Sequence, residues 1–196
     1  MAQLVSSAST SLDGFIALPN DDPGPLFDWY SAGDVVITNA GDLPPFHLTP
    51  TSAAHWRAWV ASLGCLLVGR RQFDLTDGWR GRHPLGVPIV VVTHEPPRGW
   101  SYPGSEDFTF AGTLEEAVAA ATAIAGERVV GVAAGEVATQ VHAAGLLDEV
   151  RIDLVPVLLG HGRRYFTHRH TPLSLADPIS VVVSERVTHM SFPARR

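Results

Sequence analysis

The chain has 196 residues, 45% apolar and 17% charged, with a formal charge of 14 − 20 = −6 when its nine histidines are counted neutral. That is enough chain for one domain, 1–196, with a sizeable core; an acidic balance without a basic run argues against a nucleic-acid binder. No apolar run reaches the roughly 18 residues of a membrane span, and MAQLVSSAST has no basic segment leading into an apolar one, so no membrane partner, no secretory signal and a cytoplasmic location are expected.

Gln3 to Ser9 reads as a first strand, closed by the turn dipeptide Asp13-Gly14. Asp13 is then either simple turn chemistry or a polar group at a sheet end, where α/β proteins place their sites. Residues 19–51 are the least regular part, rich in proline and aromatics, with a short strand near Asp34 to Asn39. So long an irregular segment is either an ordered flap over a site or an insertion whose aromatics fill a satellite core. Thr51 or Ser52 is placed to cap a helix running to about Leu63, with Gly64 stopping it. Cys65 to Val68 is wholly apolar, the pattern of a strand covered on both faces. The only cysteine, Cys65, lies there as a small buried hydrophobe.

Arg70 and Arg71 follow that strand, suited to bidentate phosphate pairing or to a solvated surface. Ile89 to Val92 is another buried strand, ending in Thr93-His94. Phe108 to Phe110 reads as a strand, and Thr113 with Glu116 forms a capping box for a helix ended by Gly126. Val129 to Ala133 is a strand that enters a helix, Glu136 to Ala144, through Ala134-Gly135, with Gly145 at its C-terminal end. That unit is either ordinary strand–helix packing or a helix N-terminus offering N–H groups to an anion. Val150 to Leu159 is strand-like again. Asp153 within it is either part of a solvated face with Glu149 and Arg151 or a carboxylate in a pocket. His161, His168 and His170 cluster in sequence, but nothing accompanies them in a metal-ligand pattern, and no metal is expected. Ile179 to Val183 and Val187 to Phe192 make an antiparallel finish. Alternating strands and helices with that finish indicate a mixed, mostly parallel α/β sheet, three-layer αβα, with helices on both faces.

The motifs SLDGFIA (11–17), GRRQF (69–73), VVVTH (90–94), AAGE (133–136) and AGLLDEVRIDLVPVLLGHGRRYF (144–166) occur in an order that resembles the dihydrofolate reductase-like family, in particular the reductase domain of riboflavin biosynthesis. The resemblance spans essentially the whole chain. It implies an NADPH-dependent reductase acting on a small heterocycle, with a possible homodimer. It implies that Gly69, Arg70, Arg71, Gln72, Thr93 and His94 meet the cofactor phosphates, that Ala134, Gly135, Glu136, Val137 and Ala138 line the pyrophosphate, and that the nicotinamide lies near Ala8 and Ile16. Glutamine stands at 72 where threonine is common, and AAG replaces a more glycine-rich turn. No acidic residue lies between Thr51 and Gly64, where folate-reducing relatives carry one. Asp153 falls where those relatives have a substrate-contacting threonine, so it is the first candidate for the catalytic proton donor or substrate anchor, with Asp13 second. The competing expectation is a nucleotide-binding or ligand-sensing protein that kept the fold without turnover.

Overall fold

The structure, a computed structural model, describes residues 2–41, 43–167 and 174–195. Eight strands form one sheet: β1 (Leu4–Ser11), β5 (Leu63–Gly69), β6 (Ile89–Val92), β7 (Phe108–Ala111), β8 (Val129–Ala133), β9 (Glu149–Val155), β11 (Ser180–Ser184) and β12 (Val187–Pro193). Their order is β11-β12-β9-β1-β8-β5-β6-β7. All neighbours from β9 to β7 are parallel; β12 runs antiparallel to β9, and β11 to β12. Two small sheets lie outside it: β2 (Phe15–Ala17) with β10 (Arg163–Arg164), and β3 (Val35–Ile37) with β4 (Phe46–Leu48). The helices are α1 (Pro50–Ser62), α2 (Arg70–Leu75), α3 (Leu114–Ala125) and α4 (Glu136–Ala143). None of the described helices is long and apolar enough to cross a membrane.

The pleat of β5 explains the layers. Cys65 and Leu67 point into one core, against Ala117, Ala121, Val137 and Val141 of α3 and α4. Leu66 and Val68 point into the other, against Trp59 of α1 and Phe73 of α2. Side chains alternate across a strand, so both faces of β5 are covered, as its unbroken apolar run requires. Burial pushes the Cys65 thiol up to about 12. A third cluster joins Leu26 and Trp29 of the irregular segment to Leu48, Ala53, Val155 and Val187. The aromatic segment therefore packs as a satellite core, through a 3-10 helix at Gly24–Ser31.

Local signals account for most boundaries. The Thr113 hydroxyl accepts from the Glu116 N–H while the Glu116 carboxylate accepts from the Thr113 N–H, a full capping box. The α1 cap is Thr49 rather than Thr51 or Ser52, because Pro50 fits the first helical position and the Thr49 hydroxyl accepts from the Ser52 N–H at 3.1 Å. β9 stops at Val155, four residues earlier than its apolar run, because Pro156 has no N–H for the ladder. The loop after α2 contains a left-handed turn: Asp77, Gly78, Trp79 and Arg80 have φ of 49°, 55°, 49° and 53°. It is clamped by Trp100 Nε1 donating to the Asp77 carbonyl at 3.1 Å and by the Tyr102 hydroxyl donating to the Asp77 carboxylate at 2.5 Å.

Candidate functional site

The carboxyl end of the sheet opens between β1 and β8. β1 pairs with β8 only from Leu4 to Ser7, opposite Val130 to Ala133, whereas it pairs with β9 as far as Ser11. Ala8 to Ser11 thus have one strand neighbour instead of two, and the ends of β5, β6 and β8 lie beyond that split in the strand order. Such a strand-end crevice is where open α/β sheets bind ligands.

On the β5–β6–β8 side the sequence candidates gather as three strand ends. Arg70 Nη1 is 3.4 Å from the Thr93 hydroxyl and donates to the Glu95 carbonyl at 2.5 Å, while its Nε pairs with Asp74 at 2.7 Å. Thr93 is buried, and His94 and Gln72 are exposed. Arg71 pairs with Asp21, which also receives Arg163 Nε at 2.9 Å; the loop after β2 is thereby tied to α2 and β10. These pairs hold the Asp21 carboxyl below its usual range, the Arg71 hydrogen bond contributing most. Gly135 has φ +89°, and a Cβ there would stand 3.9 Å from Ile16 Cδ1; at Gly69 one would stand 3.1 Å from Val137 Cγ2. At Gly69 the Val137 side chain leaves little room for a Cβ, whereas at Gly135 it is the positive φ that favours glycine. Val137 and Ala138 bury their side chains in the core, leaving only their backbone toward the opening of α4. Glu136 at that opening accepts from the Thr167 hydroxyl at 2.5 Å and from Gln140 at 3.0 Å. Ala8, Ile16 and Ala134 pack against one core cluster. The two guanidinium groups, the Thr93 hydroxyl and the two glycine-lined strand ends fit a phosphate-bearing dinucleotide, with Asp21 and Asp74 as the carboxylates those cations now hold.

Asp153 lies on the opposite face of the sheet from Ala8. Register puts Ser9, Asp153 and His189 in one row across β1, β9 and β12, while Ala8 pairs with Ile152. β9 is an interior strand, so Asp153 is not on a solvated edge: its side chain is 15% exposed, and Arg151 on the same face lies 4.5 Å over the Trp59 ring. His189 is fully buried and bonded at both ring nitrogens, Nδ1 to Asp153 Oδ1 at 2.6 Å and Nε2 to the Ser52 hydroxyl at 3.0 Å. Ser52 donates to the Ser184 hydroxyl at 2.9 Å, and Ser184 lies 2.6 Å from the Thr49 hydroxyl. His55, one turn beyond Ser52 on α1, stacks on His189 with centroids 4.1 Å apart and brings Nε2 to 3.8 Å from Asp153 Oδ1. Burial, then the neighbouring His189, pushes the His55 imidazole down, against the upward pull of Asp153. Trp29 Nε1 donates to the Ser9 hydroxyl at 3.0 Å. Burial, then Asp153, pushes the Tyr30 phenol up.

His55, Asp153 and His189 bring one ligand-type atom each to within 4.8 Å of one another. Their imidazole planes are only 15° from parallel, so the ring lone pairs run side by side instead of converging on an ion. The cluster is a hydrogen-bonded set. His168 and His170 lie outside the described residues, and His161 is exposed. Asp13 ties the β1–β2 turn to the loop after β9: its carboxylate accepts from the Ser11 hydroxyl at 2.6 Å and from the Leu159 and Gly160 N–H groups at 3.1 and 2.7 Å. These bonds, the Ser11 one foremost, hold its carboxyl below the usual range. Sequence reasoning missed His55, Ser52 and His189. A signal existed for His189: in Val187-Thr188-His189-Met190-Ser191 the inward residues of the alternation include an imidazole, a polar group that needs buried partners.

Structural comparison decides the fold. A protein assigned to riboflavin biosynthesis from Shewanella sp. PV-4 superposes with TM-score 0.70 at 22% identity, covering 100% of both chains. Dihydrofolate reductase from Enterococcus faecalis, complexed with NADP(H), superposes with TM-score 0.61 at 15% identity over 99% of this chain and 97% of its own. This is the dihydrofolate reductase-like fold. The same fold forms part of the Thermotoga maritima diaminohydroxyphosphoribosylaminopyrimidine deaminase/5-amino-6-(5-phosphoribosylamino)uracil reductase, which matches 99% of this chain over 57% of its own, with TM-score 0.62 and 14% identity. No family model and no curated protein sequence matches the chain. The dihydrofolate reductase-like sheet explains why Asp153, from the C-terminal third, stands beside β1: the crossover through α4 delivers β9 to that flank.

Proposed function

We propose that the chain is an NADPH-dependent reductase of a small heterocycle of pterin or pyrimidine type. The observation that carries this reading is the one partly exposed carboxylate of the Ser9–Asp153–His189 row, held beside the β1–β8 split. Gly69, Arg70, Arg71, Gln72, Thr93 and His94 would hold the cofactor phosphates. Ala134 to Ala138 would line the pyrophosphate, with Ala8 and Ile16 beside the nicotinamide. When bound, the reduced nicotinamide supplies a hydride to an electrophilic C=N or C=O carbon. Asp153 hydrogen-bonds a ring N–H or hands a proton to the reduced ligand. Trp29 and Tyr30 wall the cleft against water, and Asp13 orders the β1–β2 turn.

The structural neighbours named as reductases support the reading. A cytoplasmic homodimer belongs to the same proposal; Val181 and Val183, exposed on edge strand β11, offer an apolar surface to a second copy. A second reading, binding without turnover, is favoured by the Glu136 carboxylate, which stands at the opening of α4 where pyrophosphate would approach. Titration with NADPH, followed by tryptophan fluorescence, and a dihydropterin-dependent loss of NADPH absorbance separate the two. Quenching with turnover supports the reductase; quenching without turnover supports the binding protein; no quenching at micromolar NADPH sinks both.

A further inference from the structure

Asp153 presents its two oxygens unequally. Both neighbouring imidazoles address the same atom: His189 Nδ1 is 2.6 Å, and His55 Nε2 3.8 Å, from Oδ1. Oδ2 has no hydrogen-bond partner among the described residues. The asymmetry is built into the fold. His189 cannot turn away, because it is fully buried on β12, wedged edge-on against Trp29 at 5.2 Å and stacked on His55. Its far nitrogen meets Ser52, which is itself held by Ser184. An ionised carboxylate can only accept, so at 2.6 Å Nδ1 carries a ring proton and gives it to Oδ1. The groups facing this pair are His55 and Ser52 from α1, Trp29 and Tyr30 from the 3-10 helix, Ser9 from β1 and Arg151 on β9; Arg151 is engaged by Glu149 at 2.6 Å. None of them competes with His189 for Oδ1 by a shorter contact.

We propose that His189, locked by Ser52, is a positioning and specificity-determining residue that caps Asp153 Oδ1, so the site recognises a ring through one N–H at Oδ2. A free carboxylate pairs with an amidine-type edge, a ring N–H beside an exocyclic amino group, through two parallel bonds. A capped carboxylate offers a weaker second acceptor, because Oδ1 already holds the His189 N–H and has the His55 imidazole 3.8 Å away. The site therefore gains little from the exocyclic amino group and takes imide- or lactam-edged heterocycles, with one N–H flanked by carbonyls, at least as well. The proposal deepens the reductase reading and rests on its placing of the ligand at Asp153.

Two measurements on the full chain test it. Nitrogen NMR of the labelled, ligand-free protein should find the His189 ring proton on Nδ1 at neutral pH; a proton on Nε2 alone would overturn the cap. Calorimetry should show lumazine binding at least as tightly as pterin, two compounds that differ in an oxo or amino group beside the ring N–H. A tenfold preference for pterin in the unaltered protein would also overturn it. In His189→Leu, if the fold is kept, selectivity should move toward pterin by about tenfold, the worth of one hydrogen bond to a charged group. Ser52→Ala, which leaves the imidazole in place but unlocked, should move it the same way by less; no movement in either variant counts against the cap. If neither compound binds, the ring-proton position still decides the proposal, and it is the reductase reading that fails.

Discussion

The two flanks of the β1–β8 split are built from different interactions. On the β5–β6–β8 flank the polar groups are surface ion pairs, Arg70 with Asp74 and Arg71 with Asp21, whose arginine side chains are 38% and 62% exposed. On the β9–β12 flank they are a buried hydrogen-bonded set whose central imidazole has no exposure at all. Exposed pairs are each worth little and are screened by salt. Buried polar groups cost their full desolvation when a partner is lost. One flank should therefore respond to ionic strength, the other to pH and to single deletions.

The largest effect is expected at the buried flank. Asp153→Asn should lower turnover by about 10²–10³-fold, the scale of losing a carboxylate that anchors the ring N–H or moves its proton, with NADPH affinity unchanged; equal turnover would dissolve the contrast between the flanks.

Acid comes next. Burial pushes His83 down to about 3, and its Nδ1 accepts from the Leu85 N–H at 3.1 Å, so the folded ring is neutral. His55 is also pushed down, chiefly by burial. Below about pH 6.5 the unfolded chain binds protons that the folded one refuses. Stability is thus complete above that pH and falls as pH drops toward the folded value, by about 2 kcal/mol at about pH 5 for His83. Chemical denaturation of His83→Asn, which keeps an acceptor at the Nδ1 position, should show a flatter acid limb than the parent.

At the exposed flank, Arg70→Ala should weaken NADPH binding by about tenfold, or about 1.4 kcal/mol, and reduce its salt dependence, with turnover at saturation retained. Asp21→Asn should act in the opposite direction by freeing Arg71 for the ligand. Isothermal titration at two ionic strengths reads both. Smallest is Arg80→Gly, which relieves a left-handed residue and should raise stability by about 1 kcal/mol in thermal melts.

Legibility in the sequence followed the same divide. GRRQF, VVVTH and AAGE are contiguous, so each strand end could be placed from its own neighbours, and the capping box at Thr113 fixed α3 almost to the residue. The buried set draws on Ser9, Ser52, His55, Asp153, Ser184 and His189. Only strand register and the α1 packing bring these together, and spacing along the chain carries no trace of it. Asp153 was readable as a candidate because the resemblance sets it where folate-reducing relatives carry a substrate-contacting threonine. Its partners were not, since a histidine or serine at an alternating position says nothing about what lies on the next strand. Asp13 shows the reverse hazard: Asp-Gly after a strand announces a turn, but its carboxylate also holds the distant Leu159 and Gly160 N–H groups, a tie the dipeptide does not announce.

The left-handed turn at Asp77–Arg80 also limits how this chain can drift. Trp79 and Arg80 occupy a backbone region that β-branched side chains avoid. Glycine or asparagine is admissible there, while valine, isoleucine and threonine are not, although the positions are only half-buried or exposed. Gly78 has no room for a Cβ, which would come within 2.6 Å of the Phe73 and Trp100 rings. A surface loop that invites free substitution by its exposure is thus held to a narrow alphabet by its backbone, and divergence in this chain should be slowest at sites that exposure alone would pass over.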